Sequence, residues 1–579
     1  MRTARKPAMA VALILAVIAA LAGCSRTPTA PTTTSSAVPA TTTKPATTTT
    51  TTSAPATTTA KPATTSTAAP APSGQYGELR LAIGTFGNEK LDPVTADSTF
   101  VNLVPVQMFD YMFWLDNPGT GPAVTPRVIE KWDMTPDGLT WTYYVRKGIK
   151  FQNGDNLTAA DVKFSIERYS QPDAYRQFMA QNVKKMDLVD DYTLRIQTKA
   201  QQFFLHQGNT PISPTQGMIM PKNYIEKNGV PYFVTHPMGS GPWKFVEGKP
   251  GDSYQMEAVA SHWRQAPAFK KLTIMQMPEE ATRIALMKTG GADFIDISLN
   301  NLTNLESAGF STFSMGWYAQ QFQLHGVYDP RSAGMPTADI RVRQALSFAV
   351  DRNALLKDFY LGKGLPALPP SITEVADEVD LPYWKDYMSK LYKYDPEAAK
   401  KLLSDAGYAK GFSINLYTFP GRATPFMPQL AEVIQNYWGK IGVTAKIVNI
   451  ESGSYNRWRI GPATELVGQA TTYWNSPGFT LGSLLSDWHS TGTATFFGKG
   501  TPQAIAADKV IDSAAADPDP AKRRAKYAEV IKMAADSFAV STLASAPGLM
   551  AMGKEVTAKF PSVFPTPSVG IFTEIVKHK

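Results

Sequence analysis

Beyond residue 76 the chain alternates between two hydrophobic periods, one of strands and one of helices. Leu79-Arg80-Leu81-Ala82-Ile83 has strand character and runs into a loop from Gly84 to Pro93. The aromatic run from Met108 to Trp114 is compatible with a helix, and Trp141-Thr142-Tyr143-Tyr144-Val145 reads as a strand. Thr158, with Asp161 three residues on, predicts a capped helix whose Val162, Ile166 and Tyr169 share one face. A helix is expected after Met277-Pro278, ending at Gly290-Gly291 before a strand from Ala292 to Ile297. Asp339 heads another, with Val342, Ala345, Leu346 and Ala349 at helical spacing. Asp395-Pro396-Glu397 combines a cap, a proline at the first helical position and an acid in the first turn. A helix from about Gln429 to Lys440 hands over at Gly442 to a strand from Val443 to Ile450. Such alternation predicts an α/β protein with more than one lobe.

The first 74 residues follow a different pattern. Arg2, Arg5 and Lys6 precede an uncharged apolar run from Ala8 to Ala20, short for a membrane span but suited to a secretory signal. Leu21-Ala22-Gly23-Cys24 closes it with the only cysteine of the chain, and resembles the lipobox of bacterial lipoproteins. That resemblance implies a signal peptide over residues 1–23, a lipidated Cys24 and an extracytoplasmic protein anchored to the membrane by lipid alone. Ser25 to Gly74 is almost pure Thr, Pro, Ala and Ser, too poor in large apolar side chains to fold. With Cys24 it is expected to act as a disordered tether over 24–74, with a reach of roughly 40 Å.

Charge has to be located before it is interpreted. The chain carries 57 basic and 49 acidic residues in 579. Three of the surplus positive charges lie in the signal and three more, Arg26, Lys44 and Lys61, in the tether, leaving the body near +2. No concentrated basic field remains, which argues against a nucleic-acid partner. A single core stops growing near 250–300 residues, so a body of about 505 residues predicts at least two domains.

The motifs of familiar enzymes are missing. There is no G-x-S-x-G elbow, no H-E-x-x-H and no phosphate-binding G-x-x-x-x-G-K-[ST]. The six histidines are scattered, so no metal site is expected from local spacing, nor any cofactor. A catalytic role is not expected.

Short blocks in a fixed order carry a positive signal. Gly77-Glu78-Leu79-Arg80 leads to Leu91-Asp92-Pro93; Trp132-Asp133 and Asp137-Gly138-Leu139-Thr140-Trp141 lead to Val145-Arg146-Lys147-Gly148. Then come Met238-Gly239-Ser240-Gly241-Pro242-Trp243, Val342-Arg343-Gln344-Ala345-Leu346, Tyr394-Asp395-Pro396 and Lys440-Ile441-Gly442-Val443. Together they resemble the extracytoplasmic solute-binding proteins of the peptide/nickel class, family 5, which serve ATP-binding-cassette importers. The resemblance implies a two-lobed periplasmic-binding-protein fold with an enlarged first lobe, hinged by two crossing segments. Lobe I would span 77–320 plus 541–579 and lobe II 321–540, with the hinge at Gln320 to Leu324 and Ser541 to Ala546. It further implies a monomer that delivers an oligopeptide or peptide-like solute to permease and ATPase subunits. Metal chelates, oligosaccharides and other neutral organic solutes are alternatives, as is, from another class, a secreted hydrolase.

By the same resemblance the ligand would lie between the lobes. Phe86 and Gly87, in the segment Thr85 to Asn88, are the candidates on lobe I, with Tyr111 and Trp114 near the same edge. On lobe II the candidates are Tyr473, Trp474 and Asn475, with Arg422 and Arg457 as loop arginines more consistent with solvation. Peptide-binding relatives carry an Asp after this Trp that holds the peptide ammonium. Here no acid occurs between Glu465 and Asp487. The expected solute is therefore one without a free amino terminus, unless another acid reaches it.

Overall fold

The computed structural model describes residues 76–116, 123–175, 178–211, 216–421, 424–459, 463–476, 478–559, 573 and 575–579. The expectations for the signal, Cys24 and the tether lie outside them. Among the described residues no helix is long and apolar enough to cross a membrane.

One 11-stranded sheet organises the chain. Its order is Thr444–Asn449, Ser413–Thr418, Ala470–Asn475, Ser311–Leu324, Val540–Met552, Phe294–Ile297, Tyr76–Ile83, Phe269–Gln276, Ser253–Ala258, Trp243–Lys249. A short strand, Leu365–Pro366, pairs with Val540–Met552 off this path. Strands from before residue 300 fill one end and strands from 413–475 fill the other. Ser311–Leu324 and Val540–Met552 join the two ends and pair antiparallel with each other, Gln320 opposite Ala544 and Phe322 opposite Ser541. The segments expected to form the hinge are thus direct hydrogen-bonding neighbours. Their ladder is irregular between Ser314 and Trp317 and between Gln320 and Gln321, where an extra residue bends a strand and raises its twist. Val540–Met552 is buried almost throughout, which a sequence of small and apolar residues without alternation permits.

Each end has its own core. Leu79, Leu81 and Ile83 pack with Phe86, Phe100, Tyr254 and Ile274. Phe322 and Leu324 pack with Val342, Leu346, Leu416, Ile434 and Trp438. A separate antiparallel sheet, ordered Ile129–Met134, Thr140–Val145, Thr193–Thr198, Val183–Asp190, supports the helix Ala159–Arg168. The loop after Thr193–Thr198 carries Phe203 and Phe204 into a cluster with Leu368, Trp488, Phe496 and Tyr527, tying this sheet to the other end of the molecule. Arg523 lies 4.8 Å from the Phe204 ring centre.

The predicted helix starts have physical caps. Asp395 accepts from the Ala398 amide at 2.9 Å and Asp339 from the Arg341 amide at 2.8 Å. The Thr158 amide donates to Asp161 at 2.9 Å. One expectation fails. Of the aromatic run only Met108 belongs to a helix, Pro105–Met108, while Phe113–Asp116 is a strand paired with Ala123–Pro126.

Asp110 supplies the reason. Its carboxylate, 1% exposed, accepts from Trp263 Nε1 at 2.8 Å, Ser240 Oγ at 3.0 Å and Arg264 Nη2 at 3.1 Å. That network draws the chain out of helical conformation and explains the Met238–Trp243 block. A Cβ on Gly239 would sit 2.1 Å from the Met108 carbonyl oxygen. Only glycine lets the two backbones approach this closely, placing Ser240 on Asp110.

Burial alone would raise the Asp110 pKa, but Arg264 and His262 outweigh it and hold the carboxyl well below the usual range. Its stabilisation is therefore present above the unfolded-state pKa and lost only as pH falls through the depressed folded value. Asp110→Ala strands Arg264 and is expected to destabilise the protein by about 3–5 kcal/mol, read as a lowered urea midpoint in tryptophan fluorescence.

Candidate functional site

Strand direction points to a candidate site. Tyr76–Ile83 runs parallel to Phe294–Ile297, whose last residue, Ile297, lies opposite Leu549. At the other end Ser413–Thr418 runs parallel to Ala470–Asn475, whose last residue, Asn475, lies opposite Ala319, itself opposite Ser545. Both sets of strands therefore aim their carboxyl ends along the crossing strands toward Ser545–Leu549. Ligands of open α/β sheets bind outside carboxyl ends of this kind. The segments Gly84 to Asp97, Phe419 to Gly421, Ile450 to Arg459 and Asn475-Ser476 follow these strands.

On the first side the structure separates the predicted residues. The Phe86 ring is fully buried, edge-on to Tyr254 at 5.0 Å and Phe100 at 6.1 Å, while its amide donates to Gln276 Oε1 at 2.7 Å. Tyr111 is 1% exposed and pairs by backbone with Met218. Both side chains are core, because their rings complete the apolar packing beneath the sheet; neither lies open at the cleft. Trp114 is half-buried beneath the Arg127 guanidinium at 4.0 Å. Gly87 is exposed with φ +87°, and a Cβ there would lie 2.7 Å from Asp97 Oδ1. The Asp97 oxygens accept from the Phe100 amide at 2.9 Å and the Asn88 amide at 3.0 Å.

On the second side the predicted residues come together. Tyr473 and Trp474 are half-buried and stack at 5.2 Å, with Phe419 5.3 Å from Trp474 and Tyr455 5.0 Å from Tyr473. Asn475 Nδ2 reaches Asp487 Oδ2 at 3.4 Å. Asp487 also accepts from Ser371 Oγ at 2.7 Å and from Arg459 Nη2 at 2.9 Å, while Arg459 Nη1 donates to the Tyr473 hydroxyl at 2.9 Å. Sequence reasoning missed Arg459 and Ser371, since 28 and 116 residues separate them from Asp487. The one available signal was Asp487 itself, the first acid after Glu465. Arg457 is exposed and donates to Ser454 Oγ at 2.9 Å; Arg422 lies outside the described residues.

Glutamines line the first crossing strand. Gln320, Gln321 and Gln323 are fully buried. Gln320 Nε2 donates to the Tyr318 carbonyl at 3.1 Å, and Gln323 Oε1 accepts from the Tyr455 hydroxyl at 2.5 Å. Both amide atoms of Gln321 have no partner among the described residues, and the same holds for Gln323 Nε2, Thr471 Oγ1, Thr542 Oγ1 and Ser545 Oγ. Gln321 lies opposite Tyr473 and Thr542, and Gln323 opposite Thr471. Each such atom costs about 1–3 kcal/mol unless something satisfies it. The described residues hold no cluster of three or more His, Cys, Asp or Glu placed to bind a metal. The glutamine-bearing strand and its aromatic neighbours offer neutral hydrogen bonding and stacking.

His325 follows the same strand and lines a cavity of about 180 Å³ with Tyr328, Trp458, Arg459 and Phe496. Burial, and secondarily Arg459, push its pKa down to about 3. The unfolded chain therefore binds a proton below about pH 6.5 that the folded protein refuses until about pH 3. Stability is expected to fall by about 1.4 kcal/mol per pH unit across that window. His325→Gln should flatten the dependence of the melting temperature on pH between 6.5 and 4.

A family model described as bacterial extracellular solute-binding proteins, family 5 Middle, matches residues 123–492. Heme-binding protein A of Haemophilus influenzae is 30% identical over 367 residues, 58% of this chain and 63% of that protein. The chain thus spans a little under two thirds of that relative's length. The dipeptide-binding protein of Escherichia coli K12 is 29% identical over 375 residues, 57% of this chain and 64% of that protein. In fold, the chain is similar to the periplasmic binding protein DppA from Helicobacter pylori in complex with the peptide STSA. That match has a TM-score of 0.71 and 22% identity, and covers 87% of this chain and 99% of that one. NikA from Brucella suis in complex with Fe(III)-EDTA gives a TM-score of 0.72 at 21% identity, over 87% of this chain and 100% of that one. With family blocks in order, a two-lobed α/β fold and a match over more than half its length, the chain belongs to the bacterial extracellular solute-binding proteins, family 5.

Proposed function

We propose that this chain is the substrate-binding lipoprotein of an ATP-binding-cassette importer. It captures an oligopeptide or peptide-like solute between its lobes and delivers it to the permease, whose partner ATPase supplies the energy. The observation that carries the reading is Gln321, fully buried in the crossing strand with neither amide atom partnered among the described residues. A buried amide of this kind is the group that a solute rich in amides or hydroxyls would satisfy. Tyr473 and Trp474 add stacking faces. Relatives named for binding dipeptides and glutathione support the peptide-like class.

The sheet order supports lobe I as 77–320 plus 541–579 and lobe II as 321–540, with movement at the paired strands Gln320 to Leu324 and Ser541 to Ala546. Residues 1–23 act as the signal, Cys24 carries the lipid, and 24–74 tethers a monomeric body outside the cytoplasm.

Native mass spectrometry of the full-length protein in mild detergent is expected to release co-purified masses forming a peptide-like series. A single non-peptide mass would replace the peptide-like reading and identify the cargo. For the anchor, radiolabelled palmitate is expected to enter the wild type and to be absent from Cys24→Ser, which should leave the membrane fraction.

A further inference from the structure

Two acids near the carboxyl edge of the first lobe already have partners. Asp296, at the end of the first lobe's strands, receives Arg283 Nε at 2.8 Å and the Gly84 amide at 3.1 Å. The Asp97 oxygens are taken by two backbone amides. Asp487 is the acid that reaches the predicted ligand-contact strand, through Asn475. It is 6% exposed and its partner Arg459 15%, so the pair is largely withdrawn from water. Arg459 binds one Asp487 oxygen and the Tyr473 hydroxyl together, so its guanidinium bridges Tyr473 to the carboxylate that Asn475 also contacts.

From this geometry we infer that Arg459 is a built-in counter-ion that sets specificity. It fills the place beside Asp487 that a ligand cation would otherwise occupy, so the cleft takes a solute whose end at Asn475 carries no positive charge. A ligand ammonium brought to Asn475 would meet the guanidinium in a medium of low dielectric and find its matching carboxylate engaged. A neutral amide or ester meets Asn475 and the Tyr473 hydroxyl without that conflict. The assignment rests on the peptide-like reading above and sharpens it: the captured solute is blocked or uncharged at this end.

The test pairs trialanine with N-acetyl-trialanine in isothermal titration calorimetry on the full-length protein in detergent. The wild type is expected to prefer the acetylated peptide by about 100-fold. Arg459→Gln frees the carboxylate and should bind free trialanine about 100-fold more tightly than the wild type does. Arg459→Gln/Asp487→Asn removes the pair as a unit. It keeps the fold, checked by its thermal melt, and should lose that gain, its preference for the acetylated peptide falling about tenfold below that of the wild type. Equal wild-type affinity for both peptides overturns the counter-ion assignment and leaves the peptide-like reading standing. A double variant that discriminates as fully as the wild type overturns the assignment in the same way. Binding of neither peptide by any of the three proteins overturns both.

Discussion

The antiparallel pairing of Ser311–Leu324 with Val540–Met552 is the constraint on which the rest depends. It is the place where strands of the two ends meet within one sheet, and the chain passes through it once in each direction. A pair of strands resists shear along its hydrogen bonds yet permits bending and twisting, most easily where the ladder is irregular. The irregularity at Ser314/Trp317 lies within the stretch toward which both sets of strands aim their carboxyl ends, and that at Gln320/Gln321 lies just beyond it.

The composition of that stretch follows from its position. A strand buried on both faces would ordinarily be apolar. Ser311–Leu324 instead carries Gln320, Gln321 and Gln323, and its neighbours add Thr471, Thr542 and Ser545. Neutral polar groups can be exposed when lobes part and buried when they close without the large desolvation cost of a charge. Several buried charges are paired with an opposite one: Asp110 with Arg264, Asp296 with Arg283, Asp487 with Arg459, Glu378 with Arg523.

Much of the fold was legible because its signals are local. A cap such as Asp395 or Asp339 needs only the next three residues, and the helical faces of Val342-Ala345-Leu346 need only their own spacing. The run from Met108 to Trp114 misled for the opposite reason. Asp110 bonds to residues 130 to 154 positions away, and no window around it contains Ser240, Trp263 or Arg264. Phe86 and Tyr111 misled in the same manner. An aromatic residue beside a loop gives no sign of which side of the sheet its ring will take.

From sequence alone came the alternating α/β class, the resemblance to the family and the loss of the acid after Trp474, all properties of residue order. Only the tertiary structure decided that the crossing segments are one another's hydrogen-bonding partners, that Gln321 is buried, and that Asp487 returns to Asn475 already holding Arg459. The division is physical. Helix caps and strand periods arise from contacts a few residues apart, whereas a charge is neutralised, and a polar group left wanting, by whatever the fold brings to it from far along the chain.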